Sequence, residues 1–517
     1  MLLSTFMSFP VILISIGGCA FAYIVFNLTA ARSKPHPPGP PGWPFFGVAL
    51  NHPKTEFWKT YADWGHKYGV DGLISFHILG RRMVVLNSAT DAFNLLSKRS
   101  AIYSDRPFAT MSGLLMRREK SIFCISYNDR LKSYRRLMHH SFNPTASQMF
   151  WEVEEQEARI LVDSIIGSPE NLVEHLRRNA AAVIMKIAYG YPVTRNDDHF
   201  VSLAEEGIKI ASMASGPGKW LVDSFPFLRF LPEWFPGAEF KTKAKEWGQT
   251  LYEQSLEPHT WVKDQIRAGT AVPSFTSSLL QPSDGHSINA EEEDKIVWTS
   301  GALYFAGADT SVSVVKTFFF AMMMHPLVQR QAQDEVDRFF ASEHRLPTLR
   351  DQAAFPYVAC ILKEVLRWAP ASPFGLFHST ATPDVYKGFL IPAKTSIMAN
   401  IWAIMHDATV YPDPFSFDPS RFLGDNPQPD PKDYGFGFGR RICPGQHLAE
   451  NSIWIQMVLS LMTMTISKAV DVDGRIIEPE VAFTSGVVSH VKPFKYKITP
   501  RPTAALSLVR QALQSSV

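Results

Sequence analysis

The sequence predicts one large, mainly α-helical domain with small β-sheets, carried behind a single N-terminal membrane helix. Three observations predict it. No charged residue occurs from Met1 to Ala31, although Asp, Glu, Lys and Arg make up 19% of the chain. From about Phe57 onward, apolar residues recur with helical period, broken only by short strand-like runs such as Met83-Val-Val-Leu86. Neither an internal repeat nor a clear linker divides that stretch. The length of 517 residues alone would suggest several domains, yet with 46% hydrophobic residues the chain can bury one large core, and residues 57–517 are read as one catalytic domain.

Taken in order, the apolar run Val11 to Phe26 is long enough with its flanks to span a bilayer, so residues 1–31 are read as the membrane anchor. Arg32 and Lys34 follow at once, and positive flanks stay in the cytoplasm; the N-terminus is expected to be lumenal and the large domain cytosolic. A cleaved signal peptide would normally begin with a basic region, which Met1 to Ser8 lacks. Asn27-Leu-Thr29 fits the glycosylation sequon but falls at the cytosolic end of the helix and is expected to be unused. Residues 32–56, with Lys34-Pro-His-Pro-Pro-Gly-Pro-Pro-Gly-Trp-Pro44, form a proline-rich hinge of stiff, extended character.

Formal net charge is +2 and the pI about 8.2, so bulk charge gives no reason to expect nucleic-acid binding. Cys19, Cys124, Cys360 and Cys443 are the only cysteines and lack metal-site spacing. That pattern argues for a reducing compartment without disulfides or a zinc site.

Gln281 to Asn289 reads as a loop, and Glu291-Glu-Glu-Asp294 suits the first turn of a helix. From Val297 to Met324 the chain is apolar almost all round, as befits a helix in the centre of a large protein. Within it lies Ala306-Gly-Ala-Asp309-Thr310-Ser311, and burying a carboxylate and a hydroxyl costs several kcal/mol unless they are paired or used. Gly307 weakens the helix, and a local opening there would admit O2 and water. Thr310 is placed to donate a hydrogen bond to oxygen while Asp309 relays protons towards it. A kink with the threonine bonded back to its own helix is the structural alternative.

Glu364 and Arg367, three apart, share a helix face. Alone, they would more commonly be an exposed ion pair.

Phe436-Gly-Phe-Gly-Arg-Arg-Ile-Cys443-Pro-Gly-Gln-His447 places one cysteine in a loop too tight for ordinary packing. A soft thiolate is a good ligand for haem iron and favours O–O cleavage over reversible O2 binding. Gly439 and Gly445, lacking a β-carbon, let the backbone approach a porphyrin and aim amide N–H groups at the sulfur. Arg441 is placed to pair with a carboxylate on the cofactor edge, and Phe436 to cover the sulfur. A buried structural cysteine between glycines is the alternative.

This loop fills every fixed position of Phe-x-x-Gly-x-Arg-x-Cys-x-Gly, and the chain thereby resembles the cytochrome P-450 superfamily. Ala306 to Ser311 fits the pattern Ala/Gly-Gly-x-Asp/Glu-Thr-Thr/Ser of the same family, and the motifs occur in the family's order from the proline hinge onward. The resemblance implies the cytochrome P-450 fold, haem b (iron protoporphyrin IX) with Cys443 as axial ligand of its iron, and a buried triad of Glu364, Arg367 and Arg421. It implies propionate contacts from Arg441, Arg135 and His378, with a surface histidine as the alternative for His378. Many relatives have Trp-x-x-x-Arg where this chain has Leu131 and Arg135, which removes an indole donor that Tyr127 or Lys132 would have to replace. Arg130, Lys132, Arg136, Lys432 and Arg440 would form a basic patch for an acidic electron donor. Pro107 to Ser126, the region around Phe374, and Phe483 to Val488 would line an apolar substrate pocket.

The implied activity is insertion of one oxygen atom from O2 into a hydrophobic small molecule. NADPH acts only indirectly, through NADPH-cytochrome P-450 reductase, with cytochrome b5 as a further electron donor. The implied location is the endoplasmic reticulum membrane. Tyr103-Ser-Asp-Arg-Pro107 and Phe377-His378 followed by Asp384-Val-Tyr-Lys-Gly388 most resemble fungal members of secondary metabolism. Terpenoid hydroxylation is the first expectation and oxidation of an aromatic or polyketide substrate the second. The rival classes are a haem-thiolate isomerase or dehydratase, which would not need Asp309 and Thr310, and a haem sensor, which would be expected to carry signalling modules.

Overall fold

Prolines lack an amide donor, so a proline-rich segment can join a sheet only through its carbonyls. That is what the computed structural model, which describes residues 34–194, 198–216, 218–502 and 504–515, shows for the hinge. The Ser75 N–H donates to the Pro38 carbonyl at 2.8 Å, and the Leu390 N–H to the Pro35 carbonyl at 2.8 Å. The segment is thus laid along the sheet and does not stand free. The predicted anchor, 1–31, lies outside the described residues, and among these no single helix is long and apolar enough to cross a membrane.

Helix α1, Phe57–Tyr68, leads into a hairpin of β1, Leu73–Ile78, and β2, Arg81–Leu86. The helical body follows: α2, Asp129–Phe142; α3, Trp151–Gly167; α4, Leu172–Tyr189; α5, His199–Ser215; α6, Glu239–Ala268; α7, Ala290–Met324; α8, Pro326–Glu343; and α9, Pro356–Trp368. The short strands β3, His378–Ser379, β4, Asp384–Tyr386, β5, Phe389–Ile391, and β6, Ser396–Ala399, come next. Helix α10, Gln446–Thr463, precedes the pair β7, Met464–Lys468, and β8, Tyr496–Pro500. The larger sheet runs β1-β2-β6-β3, with β2 and β6 parallel and the outer pairs antiparallel. The mainly helical architecture with small sheets is the one predicted.

Helix α7 is the axis of the molecule, 35 residues long and buried along most of its length. Its start is specified locally by a capping box. The Asn289 side chain accepts from the N–H groups of Glu291 and Glu292, and Glu292 accepts from the Asn289 N–H at 3.0 Å. Phe318, Phe319 and Phe320 are fully buried in a core shared with α3, α8, α9 and α10. The Glu335 carboxylate of α8 accepts from the free N–H groups of Tyr357 and Val358 at the start of α9, at 2.9 and 3.0 Å. This fixes α9, and with it Glu364 and Arg367, against the core.

Candidate active site

The 436–445 loop is closed by its own backbone. The Cys443 N–H donates to the Phe436 carbonyl at 2.8 Å, and Phe436 packs its ring against the main core. Gly439 has φ +53°, and a β-carbon there would lie 2.2 Å from the Leu96 carbonyl oxygen. Gly439 is therefore required by packing within the protein. A β-carbon on Gly445, by contrast, would meet nothing within 4 Å, so that side of the loop is open. Burial pushes the Cys443 thiol pKa up, opposed by the Gly445 N–H and by Arg135. The thiol also lies just ahead of α10, whose N-terminal dipole favours a thiolate.

Beside this loop four basic side chains converge. Arg441 donates to the carbonyls of Ser104, Ile122 and Ile125 at 2.8, 3.1 and 2.6 Å. Burial, with Arg106 next to it, brings its pKa down to about 9. His378 is buried, not a surface residue, with Nδ1 2.8 Å from the Tyr103 carbonyl. Burial and then Arg106 hold its pKa near 3. Arg135 donates to the Ile442 carbonyl at 2.9 Å. Sequence reasoning missed Arg106, which donates to the carbonyls of Leu376 and Phe377 at 3.0 and 2.7 Å while its buried Nε has no partner. Its signal was present in the Ser-Asp-Arg-Pro run. Among the described residues no ion pair joins any of the four to a carboxylate. His378 is neutral with its pKa so low, but the three guanidinium groups are partly desolvated cations, costly without an anion unless a ligand supplies one, so the cluster fits a cofactor with carboxylates on its edge.

Leu131 is fully buried with Ile125, Tyr134 and Trp298. Lys132 turns away to Asp129 at the surface, 2.8 Å, and so does not replace the missing indole donor. Arg440 and Lys132 lie over the Tyr127 ring.

On α7, Ala306 is exposed in the middle of a buried helix, so the helix faces open space there. The Thr310 hydroxyl donates to the Ala306 carbonyl at 2.8 Å, the bonded-back arrangement. Asp309 Oδ1 lies 3.0 Å from His490 Nε2, a partner from a distant loop that the sequence did not reveal. The helix runs unbroken through Gly307, and a β-carbon at that position would lie 2.6 Å from Ile184 Cδ1. The expected opening at Gly307 is therefore absent; the glycine lets α4 approach.

Glu364 and Arg367 are both wholly buried, and the Arg367 guanidinium pairs with the carboxylate through two bonds of 2.7 and 2.8 Å. Arg421 Nε reaches Glu364 Oε1 at 3.2 Å. Both arginines also donate to the Ser416 carbonyl, which ties the chain ahead of the cysteine loop to α9.

A family model described as Cytochrome P450 matches residues 37–498. The chain belongs to the cytochrome P450 family. It is 39% identical over 494 residues to cytochrome P450 monooxygenase 208 of Postia placenta, covering 95% of each chain. It is 38% identical to cytochrome P450 monooxygenase claR of Ampulloclitocybe clavipes, covering 93% of this chain and 89% of that protein, and 40% identical to claT of the same fungus, covering 93% and 94%. The protein is a monooxygenase with haem b as its cofactor.

The P450 cavity, about 1050 Å³, lies beside α7 and is mostly apolar, with Phe108, Leu114, Phe123, Phe305 and Val487 in its wall. Phe374 itself packs with Phe57 and Trp58 in the core; its neighbours Leu376 and Phe377 line the cavity. Of the predicted basic patch, Arg130 is engaged by Asp294 and Lys432 by Glu450. Arg136 remains exposed.

Proposed function

We propose that this P450 hydroxylates a hydrophobic terpenoid of secondary metabolism, drawing electrons from NADPH through NADPH-cytochrome P-450 reductase, with cytochrome b5 as a further donor. The observation that carries the site assignment is the juxtaposition of the Cys443 loop with three half-buried guanidinium groups, Arg106, Arg135 and Arg441, none of them ion-paired among the described residues, and with the buried, neutral His378. A porphyrin with two propionates and a thiolate-ligated iron matches both halves of that arrangement. In this reading Cys443 would hold the haem iron, and Arg106, Arg135 and Arg441, with the neutral His378 beside them, would hold the propionates. Haem, when bound, supplies the activation of O2.

The chain's own residues then have these tasks. Phe436 keeps water from the sulfur, and the Gly445 N–H moderates its charge. Thr310 holds its hydroxyl proton on the Ala306 carbonyl and must release that bond to donate elsewhere. Asp309 stands beside it as the acid, with His490 as its partner. Glu364, Arg367 and Arg421 keep the fold around the loop and take no part in chemistry. The apolar cavity suits a substrate held mainly by shape.

Membrane attachment through residues 1–31 accords with exposed apolar side chains near the point where the described chain begins. Trp43, Phe45 and Leu50 are exposed there, as are Phe227, Phe230 and Trp234 from the segment between α5 and α6. Phe45 stacks on Phe225 at 5.9 Å and joins the two groups. Aromatic residues of this kind favour a membrane interface.

The test is reconstitution in membranes with a reductase, NADPH and isotopically heavy O2 on a panel of terpene, aromatic and polyketide scaffolds. A hydroxylated terpenoid carrying the heavy isotope is expected. Heavy oxygen appearing only in aromatic or polyketide products would replace the terpenoid reading.

A further inference from the structure

We propose that Arg118 is the substrate-anchoring residue of the distal cavity, and that the substrate class is a hydrophobic molecule bearing a carboxylate. This rests on the reading of that cavity as the P450 substrate site. Arg118 is 6% exposed and lines the cavity. Its guanidinium carbon lies 5.8 Å from the centroid of the Phe305 ring on α7, and no hydrogen bond or ion pair of that guanidinium occurs among the described residues. Its backbone is held on both sides: the N–H donates to the Gly113 carbonyl at 2.8 Å, and the carbonyl accepts from the Ser121 N–H at 2.9 Å. The preceding Arg117 is exposed and takes φ +54°, a conformation that side chains other than glycine seldom adopt. The loop thus accepts unfavourable backbone geometry at Arg117, next to the inward-facing Arg118.

A buried guanidinium is unfavourable without an acceptor, and one aromatic face offsets only part of that. The cavity's own acids do not supply the rest. Asp309 is paired with His490, and Asp223 accepts from the Met111 N–H at 2.8 Å with Arg81 nearby. Glu206 lies 3.7 Å from Lys209, and Glu119 is exposed to solvent. Arg118 therefore offers a planar, two-pronged donor to a ligand, the geometry that a carboxylate matches. Phe305, under the guanidinium, precedes Thr310 by five residues, about 7.5 Å along the helix axis. An acid group anchored at Arg118 leaves its apolar body to reach the oxygen-handling end, so the oxidised carbon lies several bonds from the carboxylate.

The experiment is a Soret titration of the purified, full-length, haem-loaded protein with dodecanoic acid and its methyl ester, and with a tricyclic diterpenoid acid and its methyl ester. Wild type is expected to bind at least one acid about 30-fold more tightly than its ester. Arg118→Gln is expected to bring that pair within about 3-fold while leaving the ester's affinity unchanged, and Arg118→Lys to retain a preference for the acid. Preference within the tricyclic pair identifies a terpenoid acid, and preference within the linear pair a fatty acid; both support the anchor. Failure of wild type to prefer either acid overturns it, as does a preference that survives in Arg118→Gln or loss of haem as the variant's effect. The reduced, carbon-monoxide-bound spectrum of each sample separates the two levels. Without a thiolate-type Soret band in wild type, the site reading itself fails; with it and no acid preference, only the Arg118 assignment fails.

Discussion

His490 Nε2 lies 3.0 Å from Asp309 Oδ1, and the residues flanking His490 are bonded to the same face of α7. Ser313 donates to the Ser489 carbonyl and Lys316 to the Val491 carbonyl. Asp309, Ser313 and Lys316 follow one another at helical spacing. The loop so held also contributes Gly486, Val487 and Val488 to the cavity wall. One clamp thus fixes both the acid beside Thr310 and part of the substrate surface.

Replacing Asp309 with Asn should lower product formation by about 100-fold, the scale of a lost general acid, with the haem spectrum unchanged. Thr310→Ala should uncouple NADPH consumption from product and release peroxide. His490→Ala should produce a milder form of the same loss. Product, peroxide and NADPH measured together check all three, and unchanged coupling in Thr310→Ala would assign proton delivery to another donor.

Glu364→Ala strands two buried guanidinium groups and should destabilise the protein by about 3–5 kcal/mol. Urea unfolding followed through haem absorbance reads this. A loss below about 1 kcal/mol, typical of an exposed pair, would contradict the buried-triad account.

Arg106→Leu removes one of the three guanidinium cations proposed for the propionates but leaves the Cys443 loop untouched. Haem transfer to an excess of apomyoglobin should then be faster than from wild type, with the thiolate-type spectrum retained until transfer. Equal transfer rates would remove Arg106 from the haem site.

His406 is stacked on Trp402 at 4.4 Å, and burial followed by Arg367 lowers its pKa to about 3. Between pH 6.5 and about 3 the unfolded chain binds a proton there that the folded chain does not, so stability falls as the solution is acidified through that window. His406→Asn should flatten this acid limb relative to wild type in urea midpoints measured across the window. Parallel limbs would show that His406 does not contribute.

The Cys443 loop, the α7 motif and the shared helix face of Glu364 and Arg367 were legible because each lies within about a dozen residues of sequence, whereas the burial of that pair was expected only from the family resemblance. Arg421 joined the triad only through family resemblance, since 54 residues separate the neighbouring Asp418 from the Glu364 oxygen that its N–H also reaches. Arg106 and His490 were missed because their partners come from distant segments, and no periodicity reports such pairing. Gly439 and Gly307 show a different limit. Their missing β-carbons accommodate Leu96 and Ile184, contacts that exist only after the chain has folded and that no sequence spacing reports. Thr310 was read with its structural alternative, and that alternative is the geometry seen.

The most direct test of the site is the carbon-monoxide difference spectrum of the reduced, full-length protein, recorded for wild type and for Cys443→Ser. Wild type is predicted to show the red-shifted Soret band of a thiolate opposite carbon monoxide, and the variant to lose it. A haem-loaded, folded wild type without that band, or a variant that keeps it, would contradict ligation by Cys443.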